Sequence, residues 1–170
     1  CIGGANFDVT LRVEDTLIKG TSNPVHTSKS LGGVVRNVAE NLSRLGLNVS
    51  LMSLLGNDPY GQELIDKSND LMETFACDTL LDERTGTYYA VIDQKGDMSY
   101  GFADMHINRL MDRSWVLKHK KHLLMSEYMI VDLNVSKDAI EAIFEIKEET
   151  NIPLAIIGVS SPKMCHLPEN

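Results

Sequence analysis

The feature that most constrains the fold is an alternation of short apolar runs with segments of helical periodicity. Four runs are almost continuously apolar, as strands covered on both faces are, and they span residues 1–7, 49–55, 129–133 and 153–159. Apolar residues at helical spacing follow them at 34–45, 61–71 and 136–149. Because parallel strands need such crossovers, the pattern predicts an α/β fold of three layers, with a parallel sheet between helices on both faces.

Two segments do not follow this alternation. Residues 87–103 have the pattern of a hairpin around a turn at 94–97, and residues 9–30 have a similar antiparallel character. We predict that both belong to a small accessory β-sheet that forms a lid, and that residues 1–170 form one domain. In α/β folds of this kind, ligands bind at the carboxyl ends of the parallel strands.

The charge balance limits the class of partner. Asp and Glu number 24 against 16 Lys and Arg, which gives a formal net charge of -8. Binding to nucleic acid or to an anionic membrane is therefore disfavoured, and no apolar run approaches membrane-spanning length. The cysteines Cys1, Cys77 and Cys165 form no CxxC pair or metal-ligand spacing. These features favour a cytoplasmic protein without a metal site, and they allow an enzyme that holds a small molecule in a local pocket.

The most informative segment is a glycine pair, Gly32 and Gly33, directly before a predicted helix. Two adjacent glycines let a ligand approach the backbone, and unpaired N–H groups lie where the helix begins. Asn37, one turn into that helix, can present its amide to a hydroxyl-bearing ligand. Taken alone, the glycine pair indicates only a tight loop before a helix, with a solvated Asn37.

A second polar group follows the first apolar run, where Asn6 and Asp8 are two residues apart. A carboxylate at the carboxyl end of a strand can accept hydrogen bonds from two neighbouring sugar hydroxyls. Asp8 is therefore a candidate ligand for a diol. The alternative is an aspartate that caps a local turn.

The wider spacing resembles the first signature of the PfkB/ribokinase family of sugar and nucleoside kinases, on the residues Gly32, Gly33, Asn37, Ala39, Gly46 and Gly56. The resemblance implies a ribokinase-like fold and transfer of the γ-phosphoryl group of ATP to a hydroxyl, with Mg²⁺ across the phosphates. It leaves open a monovalent cation as a further cofactor. Val35 departs from the family, which commonly has a small residue there.

The resemblance also implies which residues bind the substrate: Asn6, Asp8, Gly32, Gly33, Asn37 and, from the end of a third strand, Asn134. Residues 21–24, 86–88 and 104 are similar to the pseudouridine kinases of this family, which implies the 5′-hydroxyl of pseudouridine as the phosphoryl acceptor. Asn23 and Asp104 are then candidates to contact the uracil base, the alternative being polar turn residues that face water.

The family's Gly-Ala-Gly-Asp motif, whose Asp takes the proton from the attacking hydroxyl, does not occur in the 170 residues. We therefore predict that this chain supplies the N-terminal, substrate-binding part of a kinase, holds no catalytic residue and shows no turnover alone. Ile157 stands where the pseudouridine kinases often have an Asp. The resemblance implies a homodimer formed through the lid. Two alternatives stay open: a kinase for ribose, another nucleoside or a hexose, and a non-catalytic sugar- or nucleoside-binding module.

Overall fold

The structure is a computed structural model that describes residues 1–168; residues 169 and 170, the end of the predicted domain, lie outside the described residues. The described chain forms the strands β1 (Asn6–Val13), β2 (Val25–Gly32), β3 (Ser50–Gly56), β4 (Glu73–Leu80), β5 (Thr87–Ile92), β6 (Met98–Asp104), β7 (Met129–Asp132) and β8 (Leu154–Ile157). Its α-helices are α1 (Val34–Arg44), α2 (Pro59–Asn69), α3 (Arg113–Lys118), α4 (Lys120–Leu123) and α5 (Lys137–Thr150). Short 3-10 helices span His106–Leu110 and Ser161–His166.

The central sheet is parallel and is joined through the first residues of the chain. β3 pairs with β4 and β7 pairs with β8, each in parallel. Ile2 bridges Met52 of β3 on one side and Val131 of β7 on the other, also in parallel. The order across the sheet is therefore β4, β3, the first residues, β7 and β8.

The predicted strand at residues 1–7 is wrong in its extent, because only its beginning belongs to the central sheet. The chain leaves this sheet at Gly3, whose φ is 142°, and Asn6 and Phe7 already belong to β1 in a second sheet. A side chain at Gly3 would meet the Asp132 carboxylate, since an added Cβ would lie 2.6 Å from its Cγ. The sharp departure of the chain therefore needs both the conformation and the small size of glycine.

Alternate residues of β3 point into two cores on opposite faces of the central sheet. Leu51 and Leu55 pack with residues of α1 and α2, whereas Met52 and Leu54 pack with residues of α3, α4 and α5. Burial on both faces explains why β3 is almost continuously apolar. The predicted three-layer α/β class is confirmed.

The second sheet contains strands from residues 9–30 and 87–103, the two segments that did not follow the alternation of strands and helices. Its order is β2-β1-β5-β6, with antiparallel outer pairs and a parallel pair, β1 and β5, at its centre. Phe7 anchors the sheet to the central body, because its ring stacks on Tyr60 of α2 with centroids 4.6 Å apart and its N–H donates to the Gly86 carbonyl. We call these four strands the lid sheet.

Strand β4 lies at the edge of the central sheet, and its apolar pattern was too weak for us to predict it. It alternates between buried residues, such as Ala76, and exposed ones, such as Glu73 and Phe75. An edge strand covered on one face carries polar residues that break up an apolar run. None of the helices within residues 1–168 combines the length and the apolar character needed to cross a lipid bilayer.

Candidate functional site

Asp8 lies near the start of β1, on the same face of that strand as Asn6. The Asn6 Nδ2 donates a hydrogen bond to Asp8 Oδ1 at 2.8 Å. The Asp8 carboxylate lies directly over Gly32 of the neighbouring strand β2, because a Cβ added at Gly32 would be 2.6 Å from the Asp8 Cγ. Burial raises the pKa of Asp8, and the hydrogen bond from Asn6 partly offsets this effect. The absence of a side chain at position 32 thus gives the carboxylate its place.

Gly33 joins the lid sheet to helix α1 at a close approach of two backbone segments. Its φ is 100°, a conformation that favours glycine, and an added Cβ would lie 2.8 Å from the Ala5 Cα. The start of α1 is therefore packed against Gly4 and Ala5, where the chain passes from the central sheet to β1. Asp8, Gly32 and Gly33, which the sequence placed in separate motifs, are brought together here.

A buried aspartate that sequence analysis did not single out organises the same region. Asp132, at the carboxyl end of β7, is fully buried and accepts hydrogen bonds from the backbone N–H groups of Gly4 at 3.3 Å and Val35 at 3.1 Å. It also accepts bonds from the backbone N–H of Asn134 at 3.0 Å and from Asn134 Nδ2 at 2.8 Å. Desolvation raises the pKa of Asp132, and these bonds oppose the rise. In the sequence, the signal for Asp132 was a single acidic residue at the end of an apolar run.

Asn134 lies close to Gly4, against which the start of α1 packs. Its Nδ2 would be 3.1 Å from a Cβ at Gly4, and its Oδ1 accepts a hydrogen bond from Lys163 Nζ. Lys163 is partly buried, and desolvation lowers its pKa. With Asp132 on one side and Lys163 on the other, the Asn134 amide has a fixed orientation beside Gly4. The sequence analysis had not selected Lys163, because it lies outside the matched motif.

Asn37 lies in the first turns of α1, exposed to solvent, and its backbone N–H donates to the Gly33 carbonyl at 2.9 Å. Its side-chain Oδ1 accepts a hydrogen bond from Arg36 Nη1 at 3.1 Å. Asn37 is therefore one helical turn from the glycine pair. Val35, the departure from the family pattern, is fully buried and its side chain packs in the core between α1 and the sheet.

Two further candidates are not brought to Asp8 in this structure. Asn23 lies beyond the last pair of the β1–β2 hairpin, and its amide is bonded within its own loop, to the N–H and carbonyl of Ile18 and to the Thr21 carbonyl. Asp104 pairs with Thr87, which pairs with Phe7, so it belongs to the face of the lid sheet opposite that of Asp8. Contact of either residue with a base stays a prediction.

Within residues 1–168, no group of three or more His, Cys, Asp or Glu side chains is arranged to hold a metal ion. Among these residues, protein side chains alone therefore do not form a ready cage for a metal ion. What they combine is a partly exposed carboxylate, two amides held in place and a glycine pair packed against Asp8 and residues 4–5. Such a set can bind a polyhydroxylated ligand by accepting hydrogen bonds at Asp8 and donating them from the asparagines.

Comparison with known proteins gives matches along almost the whole chain. The profile of the pfkB family of carbohydrate kinases matches residues 1–167. The pseudouridine kinase of Escherichia coli (strain K12) is 31% identical over 163 residues, 95% of this chain and 51% of that protein. The guanosine-inosine kinase of Exiguobacterium acetylicum is 28% identical over 148 residues, 81% of this chain and 48% of that protein. A solved structure, a carbohydrate kinase from Agrobacterium tumefaciens, has a TM-score of 0.90 at 29% identity and covers 98% of this chain and 55% of that chain. The chain spans about half the length of the curated relatives that it matches.

Proposed function

Because the chain belongs to the pfkB family of carbohydrate kinases, we propose that it is the substrate-binding part of a kinase for pseudouridine or a related nucleoside or sugar. The reaction would transfer the γ-phosphoryl group of ATP to the 5′-hydroxyl. Support for pseudouridine comes from the relative in Escherichia coli that carries this name.

The single observation that favours this function most is the meeting of Asp8 with the glycine pair at the edge where parallel strands end. The Asp8 carboxylate can accept hydrogen bonds from two adjacent ribose hydroxyls, and Gly32, which has no side chain, leaves room for that carboxylate beside β2. Asn134, beside Gly4, adds a fixed amide. Phosphoryl transfer depends mainly on positioning and charge neutralisation, so holding the acceptor sugar is the contribution of these residues.

ATP, Mg²⁺ and any monovalent cation would have to be bound elsewhere in a kinase of this kind. The curated relatives are about twice as long as the part that this chain matches. We assign nucleotide binding, and the residue that takes the proton from the 5′-hydroxyl, to a second half like theirs. A cytoplasmic location, where ATP is available, is consistent with this function.

The substrate is tested by calorimetric titration of the protein with pseudouridine, uridine and ribose. We expect pseudouridine to bind most tightly, with the Asp8→Ala variant as the negative control. Binding of ribose without binding of pseudouridine would contradict pseudouridine as the substrate and favour the alternative, a kinase for ribose. If none of the three ligands binds, the proposed function is wrong.

The assignment of nucleotide binding and catalysis to a second half is tested separately, by an assay for ATP-dependent phosphorylation of pseudouridine. Residues 1–170 alone should show no turnover, because the Gly-Ala-Gly-Asp motif does not occur in them. Substantial activity would contradict this assignment. The remaining alternative, a non-catalytic binding module, would be favoured by a stop codon directly after Asn170 in the coding frame.

A homodimer formed through the lid sheet is part of the proposal. Tyr100 and Phe102, on one face of β6, are each exposed by more than half of their surface, and their rings are stacked in a short row. Exposed apolar side chains in a contiguous row are typical of protein–protein contacts. A second copy of this chain is the partner that we assign to this row.

A further inference from the structure

Arg36 is a charged residue that helix α1 holds almost entirely inside the protein. Only 4% of its surface is exposed, and its guanidinium has two partners on the same helix. One of its terminal nitrogens is paired with the Glu40 carboxylate, and the other donates to Asn37 Oδ1 at 3.1 Å. A buried cation therefore contacts the candidate substrate residue Asn37 directly.

Stability alone does not account for the burial of Arg36. Its Nε is buried and has no hydrogen-bond partner among residues 1–168, and a buried unpaired donor opposes folding. Glu40 has a second partner, because Arg44 donates to it from Nε at 2.9 Å and from Nη2 at 2.7 Å. Glu40 would remain paired without Arg36, so the distinctive contribution of Arg36 is its contact with Asn37.

The chemistry of the guanidinium determines which way the Asn37 amide faces. Arginine has only donors, so the carbonyl oxygen of Asn37 must face it, and the amide NH₂ is turned away from Arg36 on an exposed side chain. Resting on the proposed function, we infer that Arg36 is a positioning residue, which orients Asn37 so that its NH₂ donates a hydrogen bond to an oxygen of the substrate sugar.

This assignment gives the site a defined polarity. Asp8 accepts hydrogen bonds from the sugar, whereas Asn37 donates one to it. A hydroxyl group can serve both residues, since its oxygen accepts while its hydrogen is donated. Without Arg36, the Asn37 amide could rotate between two orientations of similar hydrogen-bonding capacity. In one of the two, its oxygen instead of its NH₂ would face the sugar.

The first test compares Arg36→Met with Arg44→Met, measured by calorimetric titration of the protein with pseudouridine. Both variants remove an arginine that is paired with Glu40 on the same helix, but only Arg36 contacts Asn37. We expect Arg36→Met to raise the Kd about tenfold, the effect of one misoriented hydrogen bond, and Arg44→Met to leave it unchanged. Equal Kd values for the two variants would overturn the inference.

A double-mutant cycle separates positioning from a general structural role. If Arg36 acts through Asn37, then Arg36→Met should have no further effect on Kd in an Asn37→Ala background. Losses of affinity that add in the double variant would show that Arg36 acts independently of Asn37, and would contradict the inference.

The variant Asn37→Asp tests the polarity even if Arg36→Met does not fold. It keeps an oxygen toward Arg36 but replaces the outward NH₂ with a second acceptor, on a side chain exposed to solvent. We expect a loss of affinity at least as large as in Asn37→Ala. Affinity equal to that of the unsubstituted protein would refute a donating role for Asn37. Failure of the unsubstituted protein to bind any of the three ligands is the separate outcome that removes the proposed function itself.

Discussion

At the residue scale, the geometry around Asp8 depends on the absence of a side chain at position 32. The Asp8 carboxylate occupies the place where a Cβ of residue 32 would be, and the distance from that Cβ to the Asp8 Oδ1 would be 2.6 Å. Gly32 has no positive φ, so its backbone is compatible with alanine. Position 32 can therefore be used to move the carboxylate without straining the chain.

We predict that Gly32→Ala weakens pseudouridine binding about tenfold or more, because the displaced carboxylate no longer meets both sugar hydroxyls. The free energy of unfolding should change by less than about 1 kcal/mol, because the overlap is with a side chain that can rotate. Calorimetry and denaturant unfolding measure the two effects.

The control for Gly32→Ala is Gly46→Ala, which strains a residue with a φ of 87° and has no neighbour within 4 Å. It should cost about 1 kcal/mol of stability and leave the Kd unchanged. If Gly32→Ala binds pseudouridine as tightly as Gly46→Ala does, Asp8 is not the sugar ligand.

Asp132 is the residue whose removal should have the largest effect on the framework of the site. It accepts hydrogen bonds from three backbone N–H groups and one side-chain amide in a fully buried place. We predict that Asp132→Ala lowers the free energy of unfolding by about 3 kcal/mol, since these donors lose their acceptor inside the protein. Glu127→Ala, which changes an exposed carboxylate before β7, should have almost no effect in the same denaturant experiment.

At the element scale, Asp58 connects helix α2 with the start of the lid strand β5. As the N-cap of α2 it accepts from the Gly61 N–H at 2.8 Å, and it also accepts from the N–H and the hydroxyl of Thr85, both at 2.8 Å. The Thr85 hydroxyl oxygen in turn accepts a hydrogen bond from the Gly56 N–H at 3.0 Å. The end of β3, the start of α2 and the approach to β5 are thus held by one carboxylate.

The pH dependence of this connection follows from the ionised form of Asp58. Burial alone would raise the pKa of Asp58, but the bonds from Gly61 and Thr85 outweigh it and lower the pKa below its ordinary value of 3.8. A lowered pKa in the folded state means that the stabilisation is present above pH 3.8 and is lost as pH falls through the folded-state value.

We predict that Asp58→Ala lowers the free energy of unfolding by about 2 kcal/mol at neutral pH, through loss of the cap and of the Thr85 bonds. The difference from the unsubstituted protein should shrink as pH is lowered below 3.8. Denaturant unfolding over a pH series measures it, with the exposed Asp66 of the same helix as the control position. A difference that is independent of pH would contradict the role of the ionised carboxylate.

At the scale of the whole molecule, the lid sheet ends in two edge strands, β2 and β6, each of which pairs with one strand among residues 1–168. Strand β6 pairs only with β5, and its residues are exposed along its whole length. Tyr100 and Phe102 lie on the face that Asp104 and Phe7 share, according to the register. Tyr100 and Phe102 are therefore on the opposite side of the lid sheet from Asp8, and a partner there would not block the proposed sugar site.

We predict that the protein is a dimer in solution and that Tyr100→Ser combined with Phe102→Ser shifts it to a monomer, because the apolar contact area is lost. Sedimentation velocity measures the mass of both. Phe75→Ser is the matched control, since Phe75 is 66% exposed but lies on β4, outside the lid sheet. A monomeric unsubstituted protein would contradict the dimer, and a dimeric double variant would place the interface elsewhere.

Periodicity predicted most of the elements because each of them buries a regular stripe or a continuous run. The helix capped by Ser136 is an example, since the Ser136 hydroxyl accepts from the Ala139 N–H and α5 begins at Lys137. Periodicity failed at β4, where one exposed face dilutes the apolar pattern, and at residues 3–7, where the chain changes from one sheet to another. Neither event leaves a mark in a short window of sequence.

The α/β class, the glycine pair before α1 and the polar residues Asn6 and Asp8 could be recognised from the amino-acid sequence, because all of these depend on neighbours within a few positions. Which of the candidate residues lie close together depends on the complete fold. It joins Asp132 to Val35, 97 residues away, and it keeps Asn23 within its own loop. The physical reason is that a buried carboxylate must be satisfied by whichever N–H groups the fold brings to it, and those partners are distant in the chain.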